Sequence, residues 1–270
     1  MGLHKGEDTA YYLKKGFQVV AFEADPDLVS LCKKKFINEI SDGSLTIVEG
    51  AIVENPKKGE IVRFYKNNKN TVWGTVVKDW SERNEQLGAK SEIIEVPVID
   101  FKQYLILFGI PYYMKIDIEG MDMVCLKALD EFEVKPAYIS IESDKVSIEN
   151  IKKELDLFYK LGYNAFQIVN QGNITKRKER ESEGEGKFLN HQFQSGSTGY
   201  FGKDFSSDWF DKSTALKKYM RIFLGYKLWG NHSKISKLIL MKILRRTLQV
   251  FRGRAIPGWF DTHARHKSTL

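Results

Sequence analysis

MGLHKGEDTAYYLKKGFQVVAFEADP, residues 1–26, contains a glycine turn, a helix and a strand in immediate succession. Gly2 and Gly6 can adopt backbone angles that other residues avoid, and they let a ligand approach the main chain closely. The polar residues 7–9 open the helix, where unpaired amides favour anionic or oxygen partners. This order predicts a nucleotide-type binding site at the beginning of an α/β protein.

The strand that follows ends in an acid at a position suited to binding a ribose. The helix is predicted over Ala10–Lys15, Gly16 ends it, and residues 18–22 form an apolar, β-favouring run. Glu23 stands about 20 residues after the glycine turn, where its carboxylate can accept hydrogen bonds from both ribose hydroxyls. A tight turn without any ligand would use the same glycines, so the combination with Glu23 carries the prediction.

Strand-like and helix-like patterns alternate along the rest of the chain. This alternation predicts an α/β fold with a doubly wound, mostly parallel sheet. Residues 60–66 and 92–98 alternate in the manner of strands around a polar stretch, which indicates an inserted antiparallel excursion. The other predicted strands are 45–53, 112–118, 137–141 and 163–169, and the other predicted helices are 27–40, 100–108, 121–129 and 148–161.

Positive charge is concentrated at the end of the chain. The formal net charge of the whole chain is +7, and residues 212–270 hold 14 Lys and Arg against one acidic residue. This asymmetry predicts a mildly acidic main domain, 1–211, and a basic helical appendage, 212–270, packed on it. Residues 233–252 fit an amphipathic helix whose apolar face either packs on the protein core or lies on an anionic lipid surface.

Composition excludes several classes of protein. No run of about 18 uninterrupted apolar residues occurs, and the N-terminus lacks the basic-then-apolar pattern of a signal peptide. The chain is therefore predicted to be cytoplasmic. Cys32 and Cys125 are predicted to be reduced thiols, and because no spacing resembles a metal site, no metal is predicted.

Two segments late in the chain have unusual compositions. Residues 175–187 mix charges of both signs with glycines and hold almost no apolar side chain, which predicts a mobile loop. HQFQSGSTGYFG, residues 191–202, is dense in small and aromatic residues. It predicts either a last strand and turn or the wall of an acceptor site.

Seven short stretches together carry a family resemblance. They are GLHKGEDT (2–9), VVAFEADP (19–26), GAI (50–52), TVWGT (71–75), KIDIEGMD (115–122), GSTGYFG (196–202) and GWFDTHAR (258–265). On these stretches the chain resembles the FkbM-type methyltransferases, a branch of the class I enzymes that depend on S-adenosylmethionine. The resemblance covers most of the chain, and KIDIEG together with the glycine turn is its more specific part. It implies a Rossmann-like sheet of seven strands with one antiparallel strand, S-adenosyl-L-methionine as cofactor, and an oxygen acceptor.

The resemblance also implies which residues bind the cofactor. Glu23 matches the ribose-binding acid of the family, and Ala51 lies where the adenine packs. His4 is either a ligand of the cofactor or a loop residue bonded to a backbone carbonyl. The residues that match the family's cofactor loop are Gly2, His4, Gly6 and Thr9.

One departure from the family concerns the beginning of the chain. In the family an apolar strand ending in an acid precedes the glycine turn, whereas this sequence starts at Met1, inside that motif. Without that strand, its neighbours would hold unpaired backbone groups, each costing about 1–3 kcal/mol when buried. We therefore expect a truncated or misassigned start, with an apolar run ending in Asp or Glu encoded upstream, and an uncertain activity for the chain as given.

Methyl transfer to a hydroxyl requires alignment of the acceptor and removal of its proton. An acceptor oxygen held in line about 3–3.5 Å from the methyl carbon supplies several kcal/mol of the barrier. A base contributes about 100- to 10,000-fold. Asp117, which matches the family's IDIEG signature beside the reacting centre, is the first candidate for this base. Glu119 and His191 are the next candidates, although Glu119 could instead order the turn and His191 could be a surface histidine.

The predicted function is O-methylation of a sugar, glycan or natural-product hydroxyl. The resemblance implies a glycan, a lipid-linked sugar or a small molecule as acceptor, and the basic appendage adds a peripheral membrane contact. Nucleic acid is not predicted as a partner.

Three other classes of function remain as alternatives. A nicotinamide dehydrogenase favours the tighter G-x-G-x-x-G spacing, whereas three residues separate Gly2 from Gly6. A nucleic-acid methyltransferase would use the basic appendage, but the chain lacks the Asn/Asp-Pro-Pro-aromatic signature and a ladder of aromatic residues among its charges. A truncated, non-catalytic relative would keep the fold as a binding module, and cofactor affinity would separate it from an enzyme.

Overall fold

The computed structural model describes residues 1–86, 88–143, 147–177, 184–194, 196–205, 208–229, 246–247, 249 and 258–269. The chain divides into two compact units. The first comprises Met1–Pro136 with Glu181–Leu189, and the second comprises Ala137–Arg180 with Asn190–Leu270. The predicted boundary after residue 211 stays a prediction, and the described residues beyond it belong to the second unit.

Helices and strands alternate through the first unit, as the sequence pattern predicts. Its helices are α1 (Glu7–Lys14), α2 (Pro26–Lys35), α3 (Ile37–Ser41), α4 (Lys78–Gln86), α5 (Phe101–Phe108) and α6 (Asp122–Ala128). Its strands are β1 (Val19–Glu23), β2 (Leu45–Glu49), β3 (Ala51–Ile52), β4 (Ile61–Lys66), β5 (Glu92–Ile99) and β6 (Tyr113–Ile116).

Aspartate side chains fix the beginning of two of these helices. Asp25 caps α2 by accepting a hydrogen bond from the Asp27 amide at 2.9 Å, and Pro26 occupies the first helical position, where no amide is needed. Asp100 caps α5 in the same way, with the Lys102 amide at 3.0 Å.

The single helix predicted over residues 27–40 is interrupted. Phe36, with a φ of −112°, leaves the helical region and separates α2 from α3. Its ring is buried and lies against Gly6 of the glycine turn. The helix is thus broken at the residue that packs against the glycine turn, and the apolar periodicity of the sequence did not predict this break.

Strands β1 and β2 form a parallel pair, with Val19 opposite Leu45 and Glu23 opposite Glu49. The register places the two glutamates side by side at the carboxyl ends of the strands. Buried side chains from the glycine turn, both strands and α2 pack together around this pair; they are Leu3, Ala21, Cys32, Phe36 and Leu45.

The strand predicted over residues 45–53 is divided into β2 and β3. Gly50 lies between them with a φ of 140°, a backbone conformation that favours glycine, and its amide donates to the Glu23 carbonyl at 2.8 Å. Beyond this point β3 pairs in parallel with β5. The chain thus changes strand partners at Gly50, which the continuous apolar run could not show.

The antiparallel excursion predicted from residues 60–66 and 92–98 is confirmed. Strands β4 and β5 pair antiparallel, with Ile61 opposite Pro97 and Lys66 opposite Glu92. A 3₁₀ turn, Thr71–Trp73, and helix α4 lie in the connection between them.

The second unit contains a sheet whose middle strand comes from the end of the chain. Its elements are β7 (Tyr138–Glu142), α7 (Ile148–Lys160), β8 (Tyr163–Asn170), α8 (Lys212–Trp229) and β9 (Phe260–His266). Strand β9 lies between β7 and β8 and is antiparallel to both. Most of the closing stretch GWFDTHAR, residues 258–265, therefore lies in strand β9.

A buried network of oxygen atoms joins the described part of the basic appendage to this unit. The Thr262 hydroxyl donates to the Glu154 carboxylate at 2.7 Å. Tyr219 of α8 lies 2.7 Å from Thr262 and 2.5 Å from Ser143 by hydroxyl-to-hydroxyl distances. Burial, and then the charge of Glu154, raises the pKa of Tyr219 well above its ordinary value. Helices α7 and α8 are therefore connected through β9.

Some predicted segments fall on residues that are not described. The amphipathic helix predicted over residues 233–252 lies for the most part outside the described residues, as does the middle of the loop predicted over 175–187. At the C-terminal end of that loop, the Lys187 amide donates to the Lys15 carbonyl at 3.0 Å. The described residues of 191–202 form no strand.

These elements make a mixed α/β protein with several sheets. Strand pairs β1–β2 and β3–β5 are parallel, whereas β4–β5, β7–β9 and β8–β9 are antiparallel. None of the helices in the described part of the chain combines the length and apolar character that a membrane-spanning segment requires.

We expect His263 to make the stability of the second unit depend on pH. Its imidazole is buried in β9, and burial followed by the charge of Arg177 lowers its pKa from 6.5 to about 3. Between these two pKa values only the unfolded chain binds this proton. The contribution of His263 to the free energy of unfolding is therefore complete above pH 6.5. It decreases as the pH falls, by up to about 1.4 kcal/mol per pH unit.

Denaturant unfolding of the wild type and His263→Gln at pH 8, 6.5 and 5 checks this expectation. The difference in unfolding free energy at pH 8 measures packing alone. It should shift by about 2 kcal/mol in favour of the variant between pH 6.5 and 5. A difference that stays constant over this range would contradict the assignment.

Candidate functional site

The glycine turn at the start of the chain lies between β1 and β6 of the first unit. The Gly2 amide donates to the Phe22 carbonyl at 3.1 Å, and the Met1 amino group donates to the Lys115 carbonyl at 2.7 Å. Gly2 has a φ of 77°, and a Cβ atom added there would lie 2.0 Å from the Asp117 carbonyl oxygen. The turn therefore requires glycine at this position because protein backbone approaches it closely.

The second glycine of the turn is enclosed by α2. Gly6 has a φ of 72° and precedes α1 without a side chain to cap it, and an added Cβ would lie 2.3 Å from the Phe36 ring. The Cys32 thiol donates to the His4 carbonyl at 3.2 Å. Burial raises the pKa of Cys32 to about 11, so this thiol stays protonated and supports the turn.

The Glu23 carboxylate at the end of β1 holds three backbone amides. Oε2 accepts from the His4 amide at 2.8 Å, and Oε1 accepts from the amides of Ala24 and Asp25 at 2.9 and 3.0 Å. Burial raises the pKa of the Glu23 carboxyl against the opposing effect of these amides. A carboxylate has about four acceptor positions, so capacity remains for one further donor such as a ribose hydroxyl.

The His4 imidazole is bonded at both ring nitrogens. Nδ1 lies 3.2 Å from Oε1 of Glu7, and Nε2 lies 2.8 Å from the Thr71 hydroxyl. Burial raises the pKa of Glu7, but the hydrogen bond with His4, a backbone hydrogen bond and the charges of His4 and Lys35 together outweigh burial and lower the pKa overall. The partners of the ring are two side chains and not the backbone carbonyl considered as an alternative.

Thr9 and Ala51, like Gly6, are predicted cofactor residues that are buried. Thr9 lies in α1 with 7% of its surface exposed. Ala51 is 3% exposed and packs in an apolar cluster with Phe64 and Val96, against which Ala24 also packs. The two small alanines border one apolar region after β1 and β2, and the adenine contact of Ala51 stays a prediction.

Lys115 and Asp117 form an ion pair at the end of β6. Lys115 Nζ lies 3.2 Å from Oδ2 of Asp117 and 3.4 Å from Oδ2 of Asp8. Burial disfavours the charged form of Lys115, but Asp117 and then Asp8 outweigh it and raise its pKa above the ordinary value. The sequence reasoning missed Lys115, although its position two residues before Asp117 on a strand places both side chains on one face.

The turn after β6 is held in an uncommon backbone conformation. Glu119 has a φ of 45° and Gly120 a φ of 103°. A left-handed residue other than glycine costs about 1–2 kcal/mol. The Asp122 carboxylate accepts from the amides of Ile118 and Gly120 at 3.0 and 3.1 Å, and the Thr75 hydroxyl donates to the Glu119 carbonyl at 2.7 Å. These bonds fix the conformation of the acid turn, by which we mean residues 117–120.

The stretch TVWGT, residues 71–75, connects the glycine turn with the acid turn, and we call it the strap. Its first residue, Thr71, contacts His4, and its last, Thr75, contacts Glu119. The sequence reasoning included this stretch in the family resemblance but assigned no role to either threonine. The sequence shows only that a hydroxyl side chain stands at each end of this five-residue motif. It does not show the partners of these hydroxyls, which lie far away along the chain.

His191 belongs to the second unit. Its carbonyl accepts a hydrogen bond from the Tyr200 hydroxyl at 2.9 Å, and its ring packs edge-to-face on Phe193 with the ring centroids 4.7 Å apart. Tyr200 and Phe193 are themselves in contact. A role for His191 as a base stays a prediction.

Within the first unit, the structure brings most of the predicted site residues together. The glycine turn contacts Glu23 through the His4 amide, and it contacts the acid turn through Gly2 and the Asp117 carbonyl. Gly50, which precedes Ala51, contacts the Glu23 carbonyl. Segments separated by about a hundred residues of sequence thus form one continuous arrangement of main chain and carboxylates.

Comparison with known proteins gives one family. A profile of the methyltransferase FkbM domain matches residues 1–165. The matched region is more than half of the chain and includes the glycine turn, Glu23, the strap and the acid turn. Neither a curated protein nor a solved structure matches the chain. The chain belongs to the FkbM methyltransferase family.

Proposed function

We propose that this chain is an S-adenosylmethionine-dependent methyltransferase that methylates a hydroxyl of a sugar, a glycan or a natural product. Family membership supports methyl transfer in general. The observation that carries the choice of donor is the Glu23 carboxylate, which holds the glycine turn through the His4 amide and keeps an acceptor position. The Glu23 carboxylate thereby shapes a turn whose main chain a ligand can approach closely. The same carboxylate can accept a hydrogen bond from the ribose of that ligand.

The residues of the first unit fit the adenosyl and methionine parts of this donor. Gly6 caps α1 without a side-chain hydrogen bond, and the amides at the N-terminus of a helix suit a ligand carboxylate. Ala24 and Ala51 have small side chains, and we propose that the adenine ring lies against them. Glu23 is only partly buried, and we propose that its remaining acceptor position takes a ribose hydroxyl.

S-adenosylmethionine, when bound, supplies a methyl group on positively charged sulfur. The contribution of this chain is to hold the acceptor hydroxyl and to receive its proton. Asp117 is suited to this, because 34% of its side chain is exposed, whereas Lys115 and Asp8 are 13% and 10% exposed. The Lys115 ammonium pairs with the Asp117 carboxylate, and an adjacent cation favours the charged form of a carboxylate while making it a weaker base. Glu119, on the same turn, is the second candidate for the base.

The acceptor is proposed from the family's usual chemistry. A glycan, a lipid-linked sugar or a small molecule offers the hydroxyl that Asp117 could engage. A lipid-linked acceptor would be consistent with a basic segment at 233–252 that contacts anionic lipid. That segment lies largely outside the described residues, so its membrane contact rests on the sequence alone.

We expect the chain to bind S-adenosylmethionine and Glu23→Gln to weaken this binding. The substitution removes the charge and one acceptor oxygen, which should cost about 1.5–3 kcal/mol, or roughly 10- to 150-fold in the dissociation constant. Isothermal titration calorimetry with the methyl donor measures this change. Glu49→Gln is the matched control, because Glu49 stands opposite Glu23 on β2 but bonds Lys33 at the surface.

The outcome is read together with the fold. Glu23 also supports three backbone amides, so the thermal midpoint of each variant is measured beside its affinity. Equal affinities of Glu23→Gln and Glu49→Gln for the donor would remove Glu23 from the site. Tight binding of NADH with none of S-adenosylmethionine would reject the proposed function.

We expect Asp117→Asn to reduce methyl transfer by about 100-fold or more while the thermal midpoint changes by a few degrees. Lys115 retains Asp8 in this variant, so its charge is not left unpaired. Asp8→Asn is the control, because it removes the other carboxylate from Lys115 and leaves Asp117 in place.

Transfer of labelled methyl groups to a panel of glycans and lipid-linked sugars measures both variants. Asp8→Asn should lose stability through its buried position but retain more activity than Asp117→Asn. Equal activities of the wild type and Asp117→Asn would show that Asp117 is not the base.

A further inference from the structure

We propose that Thr71 and Thr75 are positioning residues that lock the two turns of the site through the strap. Thr71 orients the His4 side chain in the glycine turn, and Thr75 holds the backbone of Glu119 in the acid turn. What these turns bind rests on the proposed function, whereas the two hydroxyl contacts are features of the first unit itself. Neither threonine is proposed to touch the methyl donor or the acceptor.

The Thr75 hydroxyl uses its donor and an acceptor position at once. It donates to the Glu119 carbonyl at 2.7 Å and accepts from the Val77 amide at 3.0 Å. Thr75 is 1% exposed, and its own backbone is paired with Tyr65 on both sides, at 2.8 and 3.3 Å. The backbone of Thr75 is therefore fixed to β4, and its hydroxyl cannot follow Glu119 if the acid turn relaxes. Because Glu119 has a left-handed backbone, the bond opposes relaxation to an ordinary conformation.

Thr71 acts on the other end of the site. The Glu7 carboxylate is an acceptor only, so Nδ1 of His4 carries the proton that faces it. In neutral His4, Nε2 is then the acceptor of the ring, and the Thr71 hydroxyl donates to it at 2.8 Å. Glu7 and Thr71 together select one tautomer and one ring orientation of His4. The His4 amide is the group that bonds Glu23, so the orientation of the ring and the contact with Glu23 belong to one residue.

Buried groups of the first unit also hold the strap in place. The Asn84 side-chain amide donates to the Trp73 carbonyl at 3.3 Å, and Asn84 is 1% exposed. A Cβ at Gly74 would lie 2.5 Å from the Phe64 ring, so the strap lies directly on the cluster that contains Ala51. The strap is thus a fixed support, and loss of either hydroxyl frees a turn without freeing the strap.

The acid turn has a second contact with the same excursion. A Cβ at Gly120 would lie 3.1 Å from Val77 and 3.2 Å from the Trp80 ring. Val77 is also the residue whose amide bonds the Thr75 hydroxyl. The excursion therefore fixes the backbone of the acid turn at Glu119 itself and at Gly120, the residue after it.

Two variants of Thr75 test the tie to the acid turn. Thr75→Val keeps the shape of the side chain and removes the hydroxyl, whereas Thr75→Ser keeps the hydroxyl. Hydrogen–deuterium exchange of the ligand-free protein over residues 117–122 should be about 10-fold faster in Thr75→Val and close to wild type in Thr75→Ser. Affinity for S-adenosylmethionine should fall by about 10-fold in Thr75→Val only.

Two variants of Thr71 test the tie to the glycine turn. Nitrogen-15 NMR of the His4 imidazole reports its tautomer, and the wild type should show one tautomer with the proton on Nδ1. Thr71→Val should give a mixture of tautomers, and Thr71→Ser should restore the wild-type signals. A residue that merely fills space would leave the imidazole signals unchanged in Thr71→Val.

The readouts separate this inference from the proposed function. If the wild type binds no S-adenosylmethionine, the proposed function fails. Hydrogen–deuterium exchange and the imidazole signals still test the contacts of Thr75 with Glu119 and of Thr71 with His4. Wild-type exchange in Thr75→Val together with an unchanged His4 tautomer in Thr71→Val would overturn the inference. Serine variants that behave like the valine variants would overturn it as well, because the hydroxyls would then not be responsible.

Discussion

The Glu23 carboxylate is the interaction on which the first unit depends. It lies at the end of β1 and accepts hydrogen bonds from backbone amides on both sides of it, at His4 before the helix α1 and at Ala24 and Asp25 before the helix α2. A single charged group thereby fixes the glycine turn to the strand and sets where α2 can begin. Hydrogen bonds to a charged acceptor are about twice as strong as neutral ones, which explains why one residue can organise two turns.

A second constraint comes from the buried cation of β6. Lys115 is largely buried, and a buried cation without any counter-charge would strongly destabilise the fold. Its two carboxylates, Asp8 and Asp117, come from α1 and from the acid turn. The charge thus attaches the first helix to the strand that carries the candidate base. Asp117 is the candidate base of the proposed function and Asp8 is not, and this difference makes the two residues a useful experimental pair.

The antiparallel excursion, which interrupts the parallel pairing, supports the site. Strands β4 and β5 place Phe64 against Ala51, and the strap between them reaches both turns. Turns rich in glycine and left-handed residues are intrinsically adaptable, and an enzyme that aligns three reacting atoms needs them rigid. A support built from two strands provides rigidity that the turns lack.

Local patterns in the sequence were sufficient to predict much of this protein. Local backbone angles and apolar periodicity over a few neighbours predicted the glycine turn, the strand ending in Glu23, the turn after β6 and the succession of helices and strands. The stretches that carried the resemblance also led to the right family. The breaks at Phe36 and Gly50, and the pairings Thr71–His4 and Thr75–Glu119, required the tertiary structure. The two pairings join residues 67 and 44 positions apart. Which distant groups meet is decided by the path of the chain and by the burial of charge and hydrogen-bonding groups, and neither of these leaves a periodic trace in the sequence.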